Sequence, residues 1–154
     1  METNQSYIKN LNELLSTYQI HYQNLRALHW NIQGQSFFEL HLKYEELYTR
    51  TQVVIDDLAE RILTLGGSPL STFKDYSKYS VIEENEPIHE GKKGMEYILS
   101  AQKQLLIVEK ALIKISSERE DEGTNSFLSD LIREKEKTNW MFSAWLVNQT
   151  EKVF

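Results

Sequence analysis

Apolar side chains recur at steps of three and four over long stretches of this chain, and that period leaves it little to fold into except amphipathic helices. From Ile8 the first stripe runs through Leu11, Leu14, Leu15, Tyr18, Tyr22, Leu25 and Leu28. The helix it predicts ends near 31–35, where Gly34 can turn left-handed and Ser36 opens a Ser-x-x-Glu capping box with Glu39. So short a gap makes the second helix fold back antiparallel. Its stripe is Phe37, Leu40, Tyr44, Leu47, Tyr48, Thr51, Val54, Ile55, Leu58, Ile62 and Leu65, and it stops at Gly66-Gly67 with Pro69 just beyond.

Residues 68–86 are polar and aromatic and read as a connection, with a short helix around 70–79. A third long helix is predicted to start near Pro87, which a first turn tolerates. It carries Met95, Ile98, Leu99, Leu105, Leu106, Leu112 and Ile115, enters the acidic stretch 118–122 and stops at Gly123. The fourth takes Phe127, Leu128, Leu131, Ile132, Phe142, Trp145 and Leu146, and no fifth is expected in the eight residues that follow. Nothing alternates with a period of two, and the 2 Pro and 6 Gly are clustered, so the fold class is all-α. At 154 residues one domain, 1–154, is the expectation. Four helices with short outer turns and one long central connection form the ferritin-like variant of the bundle, in which the long link lets the second and third helices run parallel. Fold alone does not give function.

Composition narrows the partners. With 17 basic and 23 acidic residues the formal net charge is -6, which favours cations over nucleic acid. Cysteine is absent, so disulfides, thiolate zinc sites and Cys nucleophiles are excluded, and imidazole and carboxylate remain as metal ligands. No run approaches the roughly 18 apolar residues of a membrane span, and the opening residues have neither part of a signal peptide. The expected location is the cytoplasm.

The second helix carries His41, Glu45, Asp56 and Glu60 at roughly 0°, 40°, 60° and 100° around its axis, all on one face. They cannot form one site, because His41 and Glu60 lie roughly 28 Å apart along the axis and Glu45 and Asp56 roughly 16 Å. A single chain therefore holds two half-sites. His41 and Glu60 are equally far from the point between Arg50 and Thr51, and so are Glu45 and Asp56. Two copies of the helix packed antiparallel about a two-fold axis there would bring His41 to Glu60 and Glu45 to Asp56 across the contact. His29 and His41 also lie equally far from residue 35, so the hairpin sets both imidazoles at one level. Two imidazoles and one carboxylate from one chain, with two carboxylates from its partner, suit iron, which needs vacant positions for an oxidant. The plain alternative is a wet helix face. His21 and His89 read as structural histidines.

The same residues carry a resemblance. Leu28-His-Trp-Asn-Ile-Gln-Gly, Phe38-x-x-Leu-His-x-x-Tyr-Glu-x-Leu-Tyr and Asp56-Asp-Leu-Ala-Glu-Arg-Ile with Gly66-Gly-x-Pro resemble the signature of the Dps miniferritins, the DNA-binding proteins from starved cells, and Trp140-Met-Phe-x-Ala-Trp-Leu is similar as well. The resemblance implies a hollow dodecamer built from two-fold dimers, with ferroxidase centres between chains. Carried over, His29, His41 and Glu45 are ligands from one subunit and Asp56 and Glu60 from the other. Position 45 departs from the familiar Asp, and a Glu one methylene longer implies a shifted geometry rather than a lost site. The implied reaction oxidises two ferrous ions, preferably with hydrogen peroxide, and stores ferric mineral in the cavity. A binding or structural assembly with idle sites, or sites holding zinc or manganese, is the alternative.

Trp30 is similar to an aromatic near the centre in that family and reads equally as an interface-packing indole. Asp121, Glu122 and Asp130 match the acidic lining of the family's three-fold iron-entry channels, and a solvated helix end explains them equally well. For DNA the ends offer only Lys9 against Glu2, and Lys152, so no lysine-rich tail is present and the shell is expected to repel DNA.

Overall fold

A computed structural model describes residues 3–147 and 149. Its helices are α1 (Asn4–Asn31), α2 (Phe37–Thr64), α3 (Phe73–Tyr79), α4 (Gly91–Glu118) and α5 (Glu122–Leu146), with no strand among the described residues. The all-α expectation holds, and α3 is the short helix of the long connection. Glu2, Lys152 and the expected absence of a further helix fall outside the described residues.

The outer turns work as the period required. Gly34 sits at φ 97° between α1 and α2. Gly66 sits at φ 85° after α2, where its N–H reaches the carbonyl of Leu63 and the N–H of Gly67 that of Ile62, a Schellman closure. Three local readings are corrected. Ser36 precedes α2 but makes no side-chain capping bond, so the Ser36–Glu39 capping box does not form; Glu39 instead accepts from the Trp145 indole at 3.3 Å.

The third long helix begins at Gly91, not near Pro87. Residues just before it are held against the first turn: the N–H of Gln33 donates to the carbonyl of His89 at 2.9 Å, and His89 Nδ1 donates to the carbonyl of Asn31 at 2.8 Å. That helix ends at Glu118, not at Gly123, and Glu120, at φ 57°, takes the left-handed position after it. The N–H groups of Glu120 and Asp121 close onto Ser117 and Ser116 in the same Schellman pattern. Gly123 lies inside α5, where a Cβ would stand 2.7 Å from the Arg61 guanidinium.

The apolar stripes meet in two clusters. Leu11, Leu14, Leu15, Leu58, Ile62, Leu112 and Leu128 pack at one end of the bundle, and Leu25, Leu28, Leu40, Met95, Ile98 and Phe142 at the end beside the α1–α2 turn. Each fully buried side chain of this kind is worth roughly 1.5–3 kcal/mol. A buried polar group bonds α1 to α4 and α5. Lys135 Nζ lies 3.0 Å from Glu109 Oε2 and donates to the Tyr18 hydroxyl at 2.5 Å, and that hydroxyl donates to Glu109. Burial pushes the Glu109 carboxyl up and the Lys135 amine down, each opposed by the other's charge.

Candidate metal centre

The last carbonyls of an α-helix have no partner within it, and here imidazoles supply the donors. His41, from the second turn of α2, donates its Nδ1 proton to the carbonyl of His29 at 2.7 Å. His29, buried in the last turn of α1, donates its own Nδ1 proton to the carbonyl of His41 at 2.6 Å. A carbonyl can only accept, so both rings carry a proton on Nδ1, and in the neutral ring the lone pair is on Nε2. The two rings stack with centroids 3.7 Å apart and planes 16° apart. The equal spacing about residue 35 does bring the two imidazoles to one level.

Glu45, one turn further along α2, places Oε1 3.7 Å from His29 Nε2. That is too long for a hydrogen bond. It matches the separation of two ligands that each lie about 2.1 Å from one metal ion at an angle of about 120°. Glu45 is half-exposed while the His29 ring is sheltered, so the gap opens toward solvent.

Asp56 and Glu60 are exposed on α2, three turns or more from this group. A hydrogen bond shared with Asp56, and the charges of Asp56 and Asp57, hold the Glu60 carboxyl above its ordinary range. Two carboxylates one turn apart, each repelling the other's charge, are a pair a cation would relieve. Among the described residues, no three His, Asp or Glu side chains of one chain come together where they could hold a metal ion. The structure thus sets His29 against both His41 and Glu45, short of a three-ligand site, and Asp56 and Glu60 stand apart from them.

The remaining candidates are placed as follows. Asp121 caps α5 by accepting from the Thr124 N–H at 3.1 Å, pairs with Arg61 at 2.8 Å and accepts from the Tyr7 hydroxyl at 2.8 Å. Burial raises its pKa, but these bonds outweigh that and leave it below the ordinary range. Asp130 pairs with Arg133 at 2.9 Å, and Glu122 is exposed in the first turn of α5. Trp30 is 58% exposed and lies 5.0 Å from the Arg26 guanidinium. His21 is buried and hydrogen-bonded to the Tyr97 hydroxyl at 2.9 Å, and burial pushes its pKa down to about 3. Sequence reasoning passed over the Glu109, Lys135 and Tyr18 group. The signal was there: Glu109 falls four residues after Leu105 and three before Leu112, inside the apolar stripe.

Two helical hairpins, a long crossover and imidazole with carboxylate on the second helix define a ferritin-like protein. The family model described as a ferritin-like domain matches residues 8–151. A crystal structure of a Dps protein from Vibrio cholerae O1, described as a member of a broad superfamily of ferritin-like diiron-carboxylate proteins, superposes with a TM-score of 0.91 at 45% identity, over 93% of this chain and 90% of that one. Dps from Bacillus brevis gives a TM-score of 0.90 at 32% identity, over 95% and 99% of the two chains. DNA protection during starvation protein 2 of Bacillus anthracis is 35% identical, over 93% of this chain and 98% of its own. The chain belongs to the Dps family.

Proposed function

We propose that this chain is an iron-storage protein and ferroxidase of the Dps type. It oxidises ferrous iron with hydrogen peroxide at sites completed by a second copy of itself and keeps the ferric product inside a hollow dodecamer. The observation that carries this reading is the imidazole pair: both Nδ1 protons are committed to main-chain carbonyls, so both Nε2 atoms are left as ligands, one of them 3.7 Å from Glu45 Oε1. Metal-bound histidines are characteristically oriented in this way.

The half-sites would be joined by antiparallel pairing of two α2 helices. That face of α2 also carries exposed apolar side chains, Phe38 at 85% and Leu63 at 57%, beside Leu42 and Val53. Phe38 and Leu63 are equally far from the point between Arg50 and Thr51, as His41 and Glu60 are. One two-fold contact therefore covers the apolar ends of the face and completes both sites. Across it, Asp56 and Glu60 of the partner subunit would add two carboxylates to His29, His41 and Glu45.

Iron here is a substrate. Each of two ferrous ions gives one electron, the peroxide O–O bond breaks, and with two protons two waters form. Because both electrons come from the metal pair, no hydroxyl radical leaves. The protein supplies ligands and geometry, and the metal supplies the redox chemistry. Shielding of DNA, the role in the Bacillus anthracis relative's name, follows from removal of iron and peroxide without contact. The imidazole and carboxylate set also accepts zinc or manganese, and those ions would leave the site idle.

Anaerobic loading with ferrous iron followed by peroxide, read as ferric absorbance, tests the reading. His41→Ala and Glu60→Ala should each slow the oxidation roughly a hundredfold. A rate unchanged in both would overturn it.

A further inference from the structure

The imidazole pair is the middle of a longer array of rings. Phe37, one turn before His41 on α2, stacks on the outer face of the His41 ring, with centroids 4.9 Å apart and planes 17° apart. His41 in turn stacks on His29. Tyr48 closes the far side, edge-on to His29 at 5.3 Å and 77°. Tyr22 backs Tyr48 at 6.0 Å, and Phe38 stands edge-on to Phe37 at 5.2 Å.

A single hydrogen bond at Nδ1 leaves an imidazole free to pivot about that bond, and the pivot turns the ring plane in which the Nε2 lone pair lies. What removes it is contact with the ring faces. For His41 one face is covered by His29 and the other by Phe37; the edge of Tyr48 limits His29. From this arrangement we infer that Phe37 and Tyr48 are positioning residues of the candidate centre. They hold the two imidazole planes, and so the directions of the two Nε2 atoms, that of His29 standing 3.7 Å from Glu45 Oε1, before any metal arrives. This rests on the metal-site reading above and goes beyond the ligand set.

A positioning role differs from core filling in what it moves. Phe37 also packs against the cluster beside the turn that holds Leu40, Tyr44 and Phe142, so any truncation costs stability; only a ring that orients a ligand alters the metal spectrum. The probe is cobalt(II) alone, titrated into the assembled protein without iron and read both as affinity and as the shape of its visible d–d bands. Phe37→Leu should weaken cobalt binding at least tenfold and change those bands. Phe37→Tyr, which keeps the ring, should restore both, and Tyr48→Phe should match the wild type while Tyr48→Leu weakens binding. Phe142→Leu, a truncation in the same cluster outside the array of stacked rings, should lower the melting temperature and leave the cobalt spectrum alone. If Phe37→Leu binds cobalt with wild-type affinity and bands while His41→Ala does not, the inference fails and the metal site stands. If His41→Ala binds cobalt as the wild type does, the site reading itself fails and the inference falls with it.

Discussion

His29 and His41 each donate an Nδ1 proton to the main-chain carbonyl of the other, at 2.6 and 2.7 Å, so the end of α1 and the start of α2 are tied by the same two rings that present the Nε2 atoms. Either residue alone would be an ordinary helix-end histidine. In the proposed centre they make half of a site, and the other half, Asp56 and Glu60, stands at the far end of α2.

Mixed oligomers should reveal that division. Co-assembly of His41→Ala with Glu60→Ala subunits puts both defects into one site of each mixed dimer and leaves the other site whole. A statistical mixture should therefore regain roughly a quarter of the wild-type ferrous oxidation. No recovery, with mixing confirmed by mass spectrometry, would mean that the ligands act within one chain.

The turn between α4 and α5 stores backbone strain. Glu120 occupies, at φ 57°, a position where a side chain costs about 1 kcal/mol. Glu120→Gly should raise stability by up to about 1 kcal/mol in thermal unfolding. Gly66→Ala, at φ 85° in the equivalent closure after α2, should lower it by a similar amount.

The buried ion pair predicts a non-additive double variant. Glu109→Gln leaves the Lys135 ammonium buried with no opposite charge beside it and should cost about 3–5 kcal/mol. Glu109→Leu combined with Lys135→Met removes both charges and should recover most of that loss in chemical denaturation. Equal destabilisation by the two would show that the ammonium is not held by this carboxylate.

His21 gives the fold an acid-sensitive element. Burial, aided by the charge of Lys135, depresses its pKa from 6.5 to about 3. The unfolded chain therefore takes up a proton that the folded chain refuses. The stabilisation is complete above pH 6.5 and is lost as pH falls from there toward about 3. At pH 5 the loss should be about 2 kcal/mol. In denaturation at pH 7.5 and pH 5, the His21→Gln variant should show a shallower decline than the wild type by that amount, and parallel declines would refute the assignment.

Legibility followed the range of the interactions involved. The level pairing of His29 and His41, the left-handed Gly34 and the arrest at Gly66 are set within a hairpin or a turn, and the spacing of residues revealed them. The start of α4 was displaced because His89, more than fifty residues along the chain, clamps onto the end of α1. The capping box failed because Trp145 from α5 takes Glu39. Gly123 was misread as a stop because its smallness serves close approach by Arg61 from α2. The proposed site is legible only in part from one chain: His29 meets both His41 and Glu45, and among the described residues no third ligand joins Asp56 and Glu60.

Anomalous diffraction at the iron edge, from crystals of the assembled protein soaked anaerobically in ferrous salt, tests that arrangement most directly. Peaks should lie beside His29, His41 and Glu45 of one subunit, with Asp56 and Glu60 of the partner subunit facing them across a two-fold axis. Iron held by the side chains of a single chain, or none at these five positions, would contradict it.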